Sequence, residues 1–259
     1  MVEIPAAQRT LAILERLAAA RAPLTASGLA RDLGIPRSST YQLLRVLEDR
    51  GFVIHLPTER RWAIGLTAFE VGSAYLRSDP IEPIAQPLLR HLAMTAPIPV
   101  VAHLGIVQGH EVVYLLKERS EHVVTTVTDV GVRLPAALTA SGRAVLAAMP
   151  SNQVRAQLAV EGAFANRTGE GPQTWTALTR LLADERRQGY AEEDGFVTKG
   201  FASVAAVIEG SGGEPIGAVG LTFRSPSADS RMRERLARAV QRCALDVAHA
   251  LHPYRMHSR

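Results

Sequence analysis

The sequence is poor in cysteine, and this scarcity excludes several classes of protein. Its single cysteine among 259 residues is Cys243. One thiol forms no disulfide within the chain, and it also excludes zinc sites built from several cysteines. We expect Cys243 to be a buried structural thiol, because it lies on the apolar stripe of a predicted helix.

Long apolar runs are missing too. No stretch approaches the roughly 18 apolar residues that a membrane-spanning helix needs, and the N-terminus lacks the basic stretch and apolar core of a signal peptide. Hydrophobic residues still make up 47% of the chain, which excludes a disordered protein. The length allows two domains with separate cores. We expect a cytoplasmic protein with no membrane partner.

The motifs of several common enzyme classes are also absent. The sequence has no G-x-S-x-G nucleophile elbow, no G-x-x-x-x-G-K-[ST] phosphate loop and no H-E-x-x-H metal motif. Its eight histidines are scattered, and the pair His249 and His252 is expected to be a surface or satisfied pair. We therefore expect a protein that is not an enzyme, without a metal site and without a cofactor.

Positive charge is concentrated in the N-terminal part. Residues 1–77 hold ten Arg, no Lys and seven acidic residues, a net charge of +3, whereas residues 78–259 carry +1. This distribution favours a nucleic-acid partner for the N-terminal part. The alternative is a chance excess of positive charge on a solvated surface. The order of the predicted helices and strands distinguishes the two interpretations.

The first 65 residues carry the pattern of a DNA-binding domain. A first helix over residues 8–20 is predicted from apolar residues at helical spacing: Leu11, Leu14, Leu17 and Ala18. Thr25 is a suitable N-cap for a second helix that ends at Gly34, and a third helix follows. Strands at 52–56 and 61–64 then surround a turn. This order predicts a winged helix-turn-helix, whose third helix enters the DNA major groove.

The third helix begins with side chains that suit DNA. Small hydroxyls and free N–H groups at a helix N-terminus bind phosphates, while Gln can pair with adenine and Arg with guanine. The expected DNA contacts are Thr25, Arg37, Ser38, Ser39, Thr40, Tyr41, Gln42, Arg45, Arg60 and Arg61. The alternatives are that the hydroxyls only cap the helix and that Arg60 and Arg61 lie in a solvated loop.

Residues 66–80 predict a helical linker. Leu66, Phe69 and Tyr75 share an apolar face of a helix over residues 66–77, which ends at 78–80. In a dimer this face would pack on a partner chain. Packing within one chain is the alternative, and the pattern is compatible with both.

Beyond residue 80, strands and helices alternate. The predicted strands are 100–106, 111–116, 123–127, 201–208 and 216–223. The predicted helices are 81–94, 141–148, 174–188 and 228–251. The last helix has a core-facing stripe made of Leu236, Val240, Cys243, Val247 and Leu251. The pattern predicts a sheet flanked by helices, with its strands in antiparallel pairs.

The chain resembles the IclR family of bacterial transcription regulators over nearly its whole length. The resemblance rests on three stretches: GIPRSSTYQLLRVLEDRGFV in the winged helix, LPAALTASGRAVLA at 134–147, and GYAEEDGFVTKGFASVAAVIEGSGGEPIGAVGLTF at 189–223. It implies an α+β protein. A winged helix-turn-helix (1–65) would be joined by a linker helix (66–80) to a GAF-like α/β effector-binding and oligomerisation domain (81–259).

The resemblance also implies an effector pocket in the second domain. Carried over by position, its residues are Val123, Ala140, Ser141, Glu193, Ser203, Gly220 and Thr222. A carboxylic acid or an aromatic catabolite fits this set, because Ser141 starts a helix whose N–H groups favour a carboxylate. The alternatives are that Ser141 is a plain N-cap and that Glu193 is a solvated acid beside Glu192 and Asp194.

Together these features predict a ligand-responsive transcription regulator. It would bind double-stranded operator DNA as a homodimer, or as a dimer of dimers, under the control of a small-molecule effector. The expected action is repression of a neighbouring catabolic operon. The alternatives are an activator of the same family and a DNA-binding protein with a vestigial, ligand-free sensor domain.

Overall fold

The computed structural model describes residues 4–20, 22–78, 81–121, 129–160 and 162–255. The predicted strand at 123–127, and with it Val123, lies outside the described residues. The chain divides into two compact units, residues 1–79 and residues 80–259.

The first unit is a winged helix-turn-helix followed by one more helix, as the sequence predicts. Its elements are α1 (Pro5–Ala18), α2 (Ala26–Leu33), α3 (Arg37–Asp49), β1 (Val53–Leu56), β2 (Arg61–Ile64) and α4 (Leu66–Ser78). The hydroxyl of Thr25 accepts the N–H of Gly28 at 3.1 Å and so caps α2. Gly34 ends α2 in the left-handed conformation, with φ at 64°, which a residue without Cβ adopts at no steric cost.

The apolar face of α1 agrees with the predicted one in part. Leu17 is buried and Leu14 packs against the same core, as predicted, and Ile13 is buried with them, whereas Leu11 is 59% exposed and Ala18 is exposed. Residues 13 and 17 lie four apart on one face, but the stripe through Leu11 and Ala18 has the same period. Periodicity alone therefore cannot tell which of two adjacent stripes faces the core.

The second unit is a six-stranded antiparallel sheet between two layers of helices. Its elements are α5 (Ile81–Thr95), β3 (Val100–Gln108), β4 (Glu111–Arg119), β5 (Arg133–Pro135), α6 (Ala140–Ala148), α7 (Ser151–Gln157), α8 (Trp175–Gln188), β6 (Ala191–Asp194), β7 (Phe201–Glu209), β8 (Pro215–Arg224) and α9 (Ser230–Arg255). The strand order is β5-β4-β3-β8-β7-β6. The short elements β5, β6 and α7 were not predicted, because three- to seven-residue segments carry too few residues to show a period.

The two faces of the sheet are built differently. One face packs against α5 and α9 in the largest core, which includes the whole predicted stripe of the last helix. The other face is covered by α6, which packs on small residues such as Ala205 and Ala218. A Cβ on Gly142 of α6 would lie 2.3 Å from the carbonyl oxygen of Ala136. Only glycine permits this approach, so the loop before α6 passes close against the first turn of the helix.

A buried guanidinium connects α6 with its surroundings. Arg143 is fully buried, and its Nε donates to Glu185 Oε1 of α8 at 2.8 Å. Its Nη1 donates to the carbonyls of Ala137 and Leu138 at 3.2 and 3.0 Å, and its Nη2 donates to the carbonyl of Glu192 in β6. One side chain thus ties the loop before α6, the helix α8 and the strand β6 together.

We predict that Arg143→Met lowers the free energy of unfolding by about 3–5 kcal/mol, because it leaves the Glu185 carboxylate buried without its cation. Urea denaturation measures this change. The matched control is Arg187→Met, which removes the exposed ion pair with Asp184 and is expected to cost less than about 1 kcal/mol. Equal losses in the two variants would contradict a structural role for Arg143.

Candidate functional site

The N-terminal half of α3 presents most of the predicted DNA-contacting residues to solvent. Ser39 is half-buried, and the exposed residues are Arg37, Ser38, Tyr41, Gln42 and Arg45. Tyr41 is 52% exposed. No side chain of the described residues caps the start of α3, so its first N–H groups remain available to an acceptor such as a phosphate oxygen.

Thr40 differs from its neighbours on α3. Its side chain is completely buried, and its hydroxyl donates to the carbonyl of Pro36 at 3.2 Å. The prediction that the Thr40 side chain contacts DNA is therefore wrong. The reason is the helical period, since Thr40 lies four residues before Leu44 and shares its core-facing side.

The wing and the cap of α2 hold the remaining predicted DNA contacts. Arg60 and Arg61 are both exposed at the end of the turn between β1 and β2. Arg60 has a positive φ of 53°, and Arg61 Nη1 donates to the carbonyl of Pro23 at 2.8 Å. This bond anchors the hairpin to the segment before α2. Thr25 is half-buried, and its hydroxyl is engaged as the cap of α2.

In the second unit, the predicted effector residues converge on the sheet face that α6 covers. Thr222, Ser203 and Glu193 are direct cross-strand partners on β8, β7 and β6. Gly220 lies two residues before Thr222 on the same face. Ala140 is buried in the first turn of α6.

A continuous chain of hydrogen bonds connects these side chains. Ser203 donates to Glu193 Oε1 at 2.7 Å, and Ser203 Oγ lies 3.0 Å from Thr222 Oγ1. Thr222 Oγ1 lies 3.0 Å from Nε2 of His103, a residue of β3. On the other side of the imidazole, Nδ1 lies 3.4 Å from Ser141 Oγ of α6. Four strands and a helix therefore contribute to one buried polar cluster.

The donors in this chain all point toward Glu193. Because Ser203 gives its only hydroxyl proton to the carboxylate, it accepts the proton of Thr222. Thr222 in turn accepts from His103, which places the imidazole proton on Nε2. Nδ1 is then an acceptor and faces the hydroxyl of Ser141. Because Glu193 Oε1 accepts from Ser203, this order of donors also sets the tautomer of His103, three strands away.

Burial shifts the pKa values of the titratable side chains in the cluster. Burial, reinforced by the nearby Lys117, lowers the pKa of His103 to about 3, so this imidazole is neutral at physiological pH. Burial raises the pKa of Glu193, which also accepts the N–H of Phe196 at 3.0 Å. Glu193 is only 4% exposed, so the alternative that it is a solvated acid is wrong.

Ser141 is not a simple helix cap. The N-cap of α6 is Thr139, whose hydroxyl accepts the N–H of Gly142 at 3.0 Å. The hydroxyl of Ser141, in the first turn, faces His103 instead. The alternative of a plain N-cap at Ser141 is therefore wrong. The structure leaves Val123 outside the described residues, so its predicted place in the pocket stays a prediction.

His103 and Tyr114 were missed in the sequence. Their rings meet edge-on with centroids 4.9 Å apart, and burial raises the pKa of Tyr114 above its usual range. The ring of His103 fits because residue 220 has no side chain, since a Cβ there would lie 2.3 Å from its Cε1. The available signal was a histidine inside the otherwise apolar strand Val100–Gln108.

The described part of the chain has few other side chains that could act as a reactive thiol or as metal ligands. Cys243 is buried, and burial together with Asp246 raises the pKa of its thiol to about 12. Among the described residues, no cluster of three or more His, Cys, Asp or Glu side chains could hold a metal ion. The helices described there include none with the length and apolar character needed to cross a membrane.

Two family models match the chain. One, the IclR helix-turn-helix domain, matches residues 6–57, and the other, the bacterial transcriptional regulator IclR C-terminal domain, matches residues 73–249. Among curated proteins, the chain is 29% identical to the transcriptional repressor IclR of Escherichia coli (strain K12), over 85% of this chain and 80% of the relative. It is 28% identical to the glycerol operon regulatory protein of Streptomyces coelicolor, over 96% of each.

Solved structures share the fold. A crystal structure of the Thermotoga maritima IclR covers 95% of this chain and 98% of its own, with a TM-score of 0.73 and 24% identity. An IclR homolog from Microbacterium hydrocarbonoxydans, complexed with 4-hydroxybenzoate, covers the same shares with a TM-score of 0.79 and 22% identity. At these identities the similarity establishes the fold.

We predict that Gln42→Ala and Arg37→Ala affect DNA binding in different ways. Gln42→Ala removes an amide that can form two hydrogen bonds with one base, so the protein's preference for that base pair should fall by about 1–3 kcal/mol. Loss of a phosphate-contacting Arg weakens binding to all sequences and lowers the salt slope by about 1. Fluorescence anisotropy with a DNA fragment selected by the protein, and with its single-base variants, measures both. Arg242→Ala in α9 is the control, and an unchanged base preference in Gln42→Ala would contradict base reading.

We also predict that Gly220 and His103 are coupled. Gly220→Ala is expected to destabilise the protein by about 1–3 kcal/mol, because the new methyl group overlaps the imidazole. In a His103→Ala background the same change should cost less than about 1 kcal/mol. A double-mutant cycle by thermal or urea unfolding measures the coupling, and additive effects would mean that the two residues do not interact.

Proposed function

The chain belongs to the IclR family of bacterial transcription regulators, and from this premise we propose that it is a transcriptional repressor whose binding to operator DNA is controlled by a small-molecule effector. The proposal rests on two features, one in each unit of the chain. The first unit has an exposed recognition helix, and the second has a buried polar cluster beneath α6.

The first unit supports DNA binding. On α3, Arg37 and Ser38 are exposed near the N-terminus, followed by Gln42 and Arg45 one and two turns later. In a helix-turn-helix, N-terminal residues of the recognition helix contact base edges while charged groups and N–H groups contact phosphates. We infer that Arg60 of the wing contacts the backbone or the minor groove. Such a regulator would meet its operator in the cytoplasm.

Exposed apolar residues on α4 support a homodimer. Leu66 and Phe69 are 69% and 68% exposed in the single chain and lie three residues apart on one face of α4. Large apolar side chains grouped on one helix usually mark an interface. A symmetric dimer would place two recognition helices about one DNA turn, or a multiple, apart on a near-palindromic operator. Assembly of two such dimers is compatible with the same proposal.

The buried cluster favours a working sensor over a vestigial domain. Burying a carboxylate and an imidazole costs free energy that an apolar core would not incur. Both groups are satisfied by hydroxyls from three different elements, which is an arrangement suited to recognition of a polar ligand. Small organic acids, including aromatic catabolites, are the proposed effectors, and one structural relative was crystallised with 4-hydroxybenzoate.

Selection of genomic DNA fragments by the purified protein tests the DNA-binding proposal. We expect enrichment of one or a few near-palindromic sites. Affinity for a selected site should fall linearly on a log–log plot as salt rises, because phosphate contacts release counterions. Deletion of the encoding gene should raise expression from the neighbouring promoter, whereas a fall would favour an activator. Absence of DNA binding even at low salt would contradict the proposal.

A further inference from the structure

A cavity in the second unit lies at the edge of the sheet, apart from the buried polar cluster. Its volume is about 500 Å³. Its walls come from the C-terminal halves of α6, α8 and α9 and from the end of β7. Among the described residues that line it, there is none of the residues predicted for the effector pocket. We call this cavity the edge cleft, and it is separate from the polar cluster.

The edge cleft straddles the outermost part of β7. Because β6 pairs only with residues 202–205 of β7, the part from Ala206 to Ile208 pairs, among the described residues, with β8 alone. Ala206 and Val207 project to opposite faces of the strand, yet both line the cleft. In an antiparallel edge strand, every second residue directs its N–H and C=O outward. Backbone donors and acceptors of β7 therefore face the cleft.

The walls of the edge cleft are apolar and built from small side chains. Six of the lining residues are alanines: Ala144, Ala147, Ala148, Ala206, Ala244 and Ala248. These side chains leave space that larger ones would fill, and burial of apolar ligand surface there is favourable. Tyr190, His249 and His252 also line the cleft, and aromatic rings favour a planar aromatic partner.

The ionised side chains of the inner walls already have partners within the protein. Glu185 binds Arg143 at 2.8 Å, and Arg186 donates to two carbonyls at the end of α6 at 2.5 and 3.0 Å. Glu209, another acidic residue of the lining, is exposed to solvent. Among the described residues, the cleft thus offers a charged ligand no buried counterion without a partner. This favours a neutral ligand, since a charge loses its hydration on burial.

We propose that the edge cleft is a second ligand site, for a neutral planar aromatic molecule that carries an amide or lactam group. The N–H and C=O of that group pair with the outward C=O and N–H of β7, as an added strand would. The aromatic part packs against the alanines of α6 and α9. Binding here requires neither operator DNA nor the polar cluster, so the site goes beyond the function proposed above.

Matched compounds test the required chemistry. Quinolin-2-one has an adjacent N–H and C=O, N-methylquinolin-2-one lacks the N–H, and quinoline-2-carboxylate is an anion of similar size. Phenanthridin-6-one, its N-methyl derivative and phenanthridine-6-carboxylate form a larger set. Calorimetry and thermal shift with the full-length protein measure binding. In the set that fits, the lactam should bind about fivefold or more tightly than either analogue, because each analogue leaves backbone groups of β7 unpaired.

Variants that fill the edge cleft from opposite walls locate the bound lactam. Ala148→Phe on α6 and Ala248→Phe on α9 should each weaken lactam binding about tenfold or more, because the new ring occupies the volume of the ligand. Ala250→Phe is the matched control, since residue 250 is exposed on α9 and does not line the cleft. This control should bind as the wild type does. Unfolding temperatures without ligand show whether each variant is folded.

Methyl NMR of the wild-type protein gives a readout that does not depend on the variants. The lactam should shift the methyl signals of Val207 and Leu245, which line the edge cleft. It should leave the signals of Val112 and Leu134 unchanged, because these residues pack with Tyr114 near the polar cluster. The two pairs of signals therefore distinguish the edge cleft from the effector pocket.

Four results would overturn the inference. They are binding of an analogue as tight as that of its lactam, undiminished binding by the folded Phe variants at positions 148 and 248, methyl shifts confined to Val112 and Leu134, and failure of both lactams to bind. The DNA-selection experiment is independent of all four, so it decides separately whether the chain is an operator-binding regulator.

Discussion

The buried guanidinium of Arg143 is the constraint on which the second unit depends. It holds the carbonyls before α6, the carboxylate of Glu185 on α8 and the carbonyl of Glu192 on β6. Ser141 lies two residues before Arg143, and Glu193 directly follows Glu192, so one side chain fixes the backbone beside both ends of the polar cluster.

On the outer side of β6, Arg233 of α9 binds Glu192 and Asp194 at 2.8 and 2.7 Å. The alternation of a strand then leaves Glu193 facing inward.

The direction of the hydrogen bonds in the polar cluster follows from the inward-facing position of Glu193. A single carboxylate orders two hydroxyls and an imidazole, each donating toward Glu193. Such a chain is rigid, because reversing one donor requires reversing all of them. A ligand that added charge or a donor at either end would change the hydrogen bonds at every link. This offers a physical route from ligand chemistry to the strands β3, β8, β7 and β6, and it needs no large movement at the site itself.

Much of the architecture could be predicted from the sequence, and the failures have physical causes. Helix caps and breakers such as Thr25 and Gly34 are local signals, and the stripe through Cys243 is long enough to show its period. The exposed Leu11 and Ala18 of α1 and the buried Thr40 of α3 reflect tertiary packing that helical spacing does not specify. The resemblance located Ser141, Glu193, Ser203, Gly220 and Thr222. It could not find His103, because the place of this residue in the cluster depends on the pairing of β3 with β8. Of the predicted apolar face of α4, Leu66 and Phe69 are exposed, while the side chain of Tyr75 lies outside the described residues.

We propose that effector binding at the buried polar cluster is energetically coupled to operator binding by α3. Operator affinity measured with and without saturating effector, together with effector affinity measured with and without operator, determines this coupling. We expect the effector to change operator affinity by about 5- to 150-fold and the operator to change effector affinity by the same factor, because linkage is reciprocal. An effector that binds tightly but leaves operator affinity unchanged would show that the two sites are not coupled.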